Sequence, residues 1–164
     1  MSMMQIITIA LLIASVSNMA PMIPGGFVET RDFGAYPSVV LAAFNVFLTI
    51  LGLGSLALVW DVAWNNAGFE LSMMAGIAYA AVYIADLGLI FPVTPSPMSP
   101  LLARLEALGA ALGGALATSG CVAVLTHPSK QTASQSLPLY AQITLVVVGI
   151  AIVVFATRAA MRRK

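Results

Sequence analysis

Five long apolar segments constrain this chain more than any other feature of its sequence. A helix of about 20 residues crosses a hydrocarbon layer about 30 Å thick, and each segment reaches about that length. The segments cover residues 2–20, 38–60, 70–91, 100–126 and 138–159. Only 8% of the residues are charged, against about 25% in an ordinary globular domain. The sequence therefore predicts an all-α fold, a polytopic transmembrane bundle of five spanning helices that forms a single integral membrane domain over residues 1–164.

The first segment also has the length of a secretory signal segment. The start, MSMMQ, carries no positive charge, and no small-residue cleavage site follows the apolar run. Signal peptides normally have both features. We therefore interpret residues 2–20 as a retained helix. If they were a signal segment, four spanning helices would remain.

Basic residues predict the orientation, because short cytoplasmic loops of membrane proteins are enriched in Lys and Arg. With a cytoplasmic C-terminus and an outer N-terminus, six basic residues lie on the cytoplasmic side and only Lys130 lies outside. The six are Arg31, Arg104, Arg158, Arg162, Arg163 and Lys164. The loops at 21–37 and 92–99 then share the cytoplasmic side of a bacterial-type inner or plasma membrane, and residues 127–136 lie outside.

Prolines predict where the third and fourth helices end and begin. Residues 92–100 include four prolines, the first at Pro92 and the last at Pro100. Proline cannot continue a helix because it lacks the N–H and clashes with the preceding turn. Ser99 followed by Pro100 is typical of an N-cap with proline at the first helical position.

Asp86 and Arg104 are charges inside predicted spans, where an unpaired charge is costly. Asp86 lies five residues before Phe91 and Arg104 five residues after Ser99, so both lie about 7.5 Å inside their helix ends. The two helices are joined by a short loop and must be antiparallel neighbours. We therefore expect Asp86 and Arg104 to form an ion pair.

Glu106 and Asn45 lie at a similar depth from the same side. Glu106 is about 200° around the helix from Arg104, so we expect it to face another helix or a cavity. Asp86, Glu106 and Asn45 are the candidates for a substrate or ion pathway. The loop residues Glu29, Arg31 and Asp32 lie nearby, and we expect them to form a structural ion-pair network with Arg104. For the two intramembrane carboxylates, a structural role remains an equal alternative to transport.

Small residues recur every four positions in the fourth segment, at Gly109, Gly113 and Ala117. Such a face allows another helix to pack closely. The neighbouring helix could belong to the same bundle or to a second protomer.

Several functions are not favoured by the composition. A net charge of +1 does not suit nucleic-acid binding, which requires clustered Lys and Arg. With one cysteine, Cys121, and one histidine, His127, we expect no metal site and no cofactor. We also find no catalytic group of residues, so an enzyme is not favoured.

Two functions remain as expectations. The first is a small transport or channel-type membrane protein with a polar cavity on the cytoplasmic side. The second is an accessory or structural subunit of a larger membrane complex. Both predict the lipid bilayer as a partner, together with a homo-oligomer in the first case and a larger complex in the second.

Overall fold

The computed structural model describes residues 1–126 and 135–161, and its described residues form helices without strands. Each of the five helices is long and apolar enough to cross a membrane, which confirms the predicted all-α fold. The helices are α1 Met3–Met19, α2 Ser38–Trp60, α3 Phe69–Leu87, α4 Pro100–Thr126 and α5 Leu139–Met161. The chain has the architecture of a multi-pass membrane protein.

Apolar side chains cover the outside of the bundle and polar side chains lie within it. Ile50, Ile77 and Val146 are exposed, whereas Thr8 and Ser72 are fully buried. In a water-soluble protein the large apolar side chains would be inside. The arrangement suits lipid as the surroundings, because polar groups in spanning helices face the bundle interior.

The predicted start of α4 is confirmed. The Ser99 hydroxyl accepts a hydrogen bond from the Leu102 N–H at 3.2 Å, and Pro100 is the first helical residue.

The predicted end of the third helix at residue 91 is wrong, because α3 ends at Leu87. Leu89 adopts a left-handed backbone (φ 52°), and the Ile90 N–H donates back to the Ala85 carbonyl at 2.8 Å. This closure satisfies the last carbonyls and stops the helix. Asp86 therefore lies in the last turn of α3, closer to the helix end than its sequence position suggested.

Helices α3 and α4 pack against each other along their length. Glycines permit the close approach. A side chain at Gly113 would lie 2.6 Å from the Ala80 nitrogen, and one at Gly109 would overlap the Tyr83 ring. A side chain at Gly76 would meet the backbone of Ala117. The predicted small-residue face of α4 thus lies against α3 inside the bundle.

Helices α1 and α2 also contact this pair. Helix α1 packs on α4 and α2, with Leu12 fully buried, and α5 packs mainly on α2. Most of the surface of α5 is exposed.

The connections divide between two ends of the bundle. The loops at 20–37 and 88–99 and the end of α5 lie at one end, which we call the charged end. The opposite end carries the wide helical turn Asp61–Asn65, with the rings of Trp60 and Trp64 5.5 Å apart. Lys130 and the basic residues 162–164 lie outside the described residues.

Candidate functional site

The loop before α2 folds over the charged end of the bundle. It turns at Gly25, whose φ is +88° and where a side chain would collide with Ala159 of α5. The Tyr36 hydroxyl accepts a hydrogen bond from the Val93 N–H at 2.7 Å. The Asp32 N–H donates to the Ser96 hydroxyl at 3.1 Å. The 88–99 loop and α5 therefore hold the 23–37 loop in place.

This loop places Arg31 among three carboxylates. The guanidinium donates two hydrogen bonds of 2.6 Å to Asp86. It donates to Glu29 at 2.7 Å from Nη2 and at 3.1 Å from Nε. Its third acidic neighbour, Glu106, lies 3.6 Å away. All four side chains are buried, with residue exposures of 3% for Arg31, 8% for Asp86, 4% for Glu29 and 3% for Glu106. We call these four residues the acidic cluster.

Arg31 stays a cation in this environment. Burial disfavours the charged guanidinium, but its hydrogen bonds to Asp86 and Glu29 and their negative charges outweigh that effect. Together they raise the pKa of Arg31 above its ordinary value. The guanidinium also lies over the Phe33 ring, 5.6 Å from the centroid, and such stacking favours a cation.

Glu106 is the carboxylate that Arg31 satisfies least. Its Oε1 is beyond hydrogen-bond distance from the guanidinium, and its Oε2 is buried without a hydrogen-bond partner among the described residues. With all groups ionised, the cluster would carry three negative charges and one positive charge. A surplus of this kind in a buried site favours the uptake of a proton or another cation.

A cavity of about 170 Å³ extends from the acidic cluster between the helices. All four members of the cluster contribute to its wall, as does Asn45. Away from the cluster, most of the wall is apolar, with contributions from α1, α2, α3 and α5. These residues include Val16 of α1, Leu48 of α2, Val82 of α3 and Ile152 of α5. The structure thus brings Asp86, Glu106 and Asn45 to one cavity, which is more apolar than the predicted polar one.

Asn45 also connects two helices. Its amide nitrogen donates to the Thr157 hydroxyl of α5 at 3.1 Å, and the Asn45 side chain is buried. This bond ties α5 to α2 beside the cavity.

The expected ion pair between Asp86 and Arg104 is wrong. Asp86 is bound by Arg31, whereas Arg104 lies exposed on α4 and has no ion pair within the described part of the chain. Arg104 points away from α3, and Asp86 lies nearer its helix end than the expected ion pair assumed. As the helical angle predicted, Glu106 points in the other direction and is buried.

Asp32 is also outside the expected ion-pair network. Its carboxylate accepts a hydrogen bond from the Gly34 N–H at 2.8 Å, which stabilises a local turn. It is half-buried and makes no salt bridge with a described residue.

Two residues near Glu106 did not stand out in the sequence. The Asn18 amide donates to the Leu105 carbonyl at 3.0 Å, and Tyr83 packs on Gly109. An asparagine near the end of an apolar segment was the available signal for the first. Tyr83 had none, because aromatic side chains are common in apolar helices.

Clusters of carboxylates often hold metal ions. Across residues 1–126 and 135–161, no group of three His, Cys, Asp or Glu side chains is arranged to hold a metal ion. In the acidic cluster, the guanidinium of Arg31 contacts all three carboxylates.

The comparisons with known proteins give a family. Residues 4–137 match the model of a domain of unknown function, DUF8051, and the chain belongs to this family. No curated protein and no solved structure matches the chain.

Proposed function

We propose that this member of the DUF8051 family is a small transport protein that binds a proton or a cation at the acidic cluster. Glu106 carries the proposal. It is a buried carboxylate, it contributes to the wall of the cavity, and its Oε2 has no hydrogen-bond partner among the described residues. Asp86 and Asn45 complete the binding site.

We propose different roles for the three carboxylates. Glu29 and Asp86 are hydrogen-bonded to Arg31 and hold the guanidinium in place. Glu106 makes no hydrogen bond to Arg31, so we assign to it the gain and loss of a proton or cation. Intramembrane acids of this kind commonly mark ion and substrate routes.

The proposed orientation puts the cavity on the cytoplasmic side, on the strength of the basic residues near the charged end. A conduction path through five short helices is narrow, so we also propose a homo-oligomer in the bilayer.

Flux in proteoliposomes tests the proposal. We expect Glu106→Gln to reduce proton- or cation-coupled flux at least tenfold, because an amide can neither take up a proton at neutral pH nor pair with a cation through a negative charge. Asp32→Asn is the matched control and should keep the flux, because Asp32 lies outside the cluster. Both variants should elute as folded protein from size-exclusion chromatography. Equal flux in the Glu106→Gln variant and the unaltered protein would contradict the proposal.

The hydrogen-bonded ion pairs of Arg31 favour a second candidate function. Four of the five guanidinium N–H groups donate to Glu29 and Asp86, as in a purely structural network. We therefore keep an accessory or structural subunit of a larger membrane complex as the alternative. A stoichiometric larger partner after purification in a mild detergent, with no flux from the isolated protein, would favour it.

A further inference from the structure

The size of the cavity limits what it can hold. Its volume of about 170 Å³ is close to that of an engineered apolar cavity of about 150 Å³ that accepts benzene. A ligand with a compact body of about six to eight non-hydrogen atoms fits this space.

The wall of the cavity determines whether the body of the ligand is polar or apolar. Leu48, Val82 and Ile152 contribute apolar surface, and Phe44 and Phe91 contribute aromatic rings. The Phe44 and Phe91 rings lie edge to face, with centroids 5.1 Å apart. Burial of an apolar body against such a surface is favourable. A bare inorganic cation would lose its hydration shell here without gaining enough oxygen ligands.

The acidic cluster determines which charge the ligand can carry. Arg31 is engaged by Glu29 and Asp86, so Glu106 has an oxygen to offer. A carboxylate or phosphate on a ligand would be repelled by the surplus negative charge. A neutral ligand would leave that charge uncompensated. A ligand group with a single positive charge and N–H donors would balance the surplus negative charge and donate a hydrogen bond to Glu106.

We propose that the cavity binds a small hydrophobic amine in its ammonium form, with the ammonium donating to Glu106 and the apolar body among Leu48, Val82 and Ile152. The inference rests on the proposed function, because it uses the same cavity, and it names the substrate class. In transport, the ammonium and a proton would compete for Glu106.

Direct binding measurements test this inference without any transport. Cyclohexylamine is the probe, and cyclohexanol and cyclohexanecarboxylate have the same ring with a neutral and a negative group. Methylammonium has the charge without the ring. In calorimetric titrations of the purified protein in detergent at pH 7, we expect cyclohexylamine to bind saturably. Its affinity should exceed that of each of the other three compounds at least tenfold.

Variants locate the binding site. Glu106→Gln should weaken cyclohexylamine binding at least tenfold, and Asp32→Asn should leave it unchanged. If Glu106→Gln does not fold, the comparison of the four ligands on the unaltered protein still tests the inference. Equal binding of cyclohexylamine and cyclohexanol would overturn the inference, as would full amine binding by a folded Glu106→Gln protein.

The outcomes separate the inference from the proposed function. Amine binding without amine or proton flux would support the ligand class and refute transport. Proton flux that depends on Glu106, with no amine binding, would support transport and refute the ligand class.

Discussion

At the scale of single residues, Arg31 is a buried cation whose position depends on acidic partners. It is buried at 3% exposure and contacts three carboxylates from a loop and two helices. Removing one partner of a buried ion pair leaves the other charge without compensation, which is more costly than the loss of a surface pair. Arg104, a cation of the same type, is exposed and unpaired among the described residues.

These two arginines make a matched pair of variants. We expect Arg31→Met to destabilise the protein by about 3–5 kcal/mol and Arg104→Met by about 0.5 kcal/mol or less. Arg31→Lys should fall in between, because lysine keeps the charge but cannot bind Asp86 with two nitrogens. Thermal unfolding in detergent measures the difference. A larger loss of stability for Arg104→Met than for Arg31→Met would contradict the assignment of the ion pairs.

At the scale of helices, the contact between α3 and α4 depends on residues without side chains. A Cβ atom at Gly113 would lie 2.6 Å from the Ala80 nitrogen and 2.8 Å from the Gly76 oxygen, so the two backbones would have to separate. Gly114 is the next residue, and a Cβ atom there meets nothing within 4 Å.

The two neighbouring glycines therefore predict opposite results. Gly113→Ala should destabilise the protein by about 1–3 kcal/mol through overpacking. Gly114→Ala should be neutral or slightly stabilising, because alanine favours the helix by up to about 1 kcal/mol. Unfolding in mixed detergent micelles compares them. Equal effects of the two substitutions would argue against the close packing of α3 and α4.

The helices also show how much the sequence could predict. Apolar length alone located five helices, because a spanning helix needs a continuous apolar run. The small-residue spacing located the packing face of α4, and the angle from Arg104 located the inward direction of Glu106. The partner of Asp86 could not be predicted in this way. Depth along a helix says nothing about whether Arg104 faces α3, and the path of the 23–37 loop depends on contacts with α5 and the 88–99 loop.

At the scale of the whole molecule, the helix order fixes which connections share an end. The 20–37 loop, the 88–99 loop and the end of α5 lie at the charged end, and residues 61–68 lie at the opposite end. The basic residues predict that the charged end is cytoplasmic.

Cysteine labelling tests both statements. In a Cys121→Ala background, Ala35→Cys and Glu70→Cys introduce exposed thiols at opposite ends. We expect a membrane-impermeant reagent added outside intact cells to label position 70 and leave position 35 unlabelled until the membrane is opened. Labelling of both positions from outside would contradict the bundle topology. Labelling of position 35 alone would reverse the orientation.

The acidic cluster also has a consequence for how the protein is made. Arg31 emerges from the ribosome between the first and second helices, and its partner Asp86 follows 55 residues later. Until α3 and α4 have entered the membrane, Glu29 is the acidic partner available to the guanidinium. The guanidinium is then more stable in water than buried. The loop is among the first parts of the chain to be synthesised, and we expect it to reach its final structure only after α3, α4 and α5 have inserted, because it contacts all three.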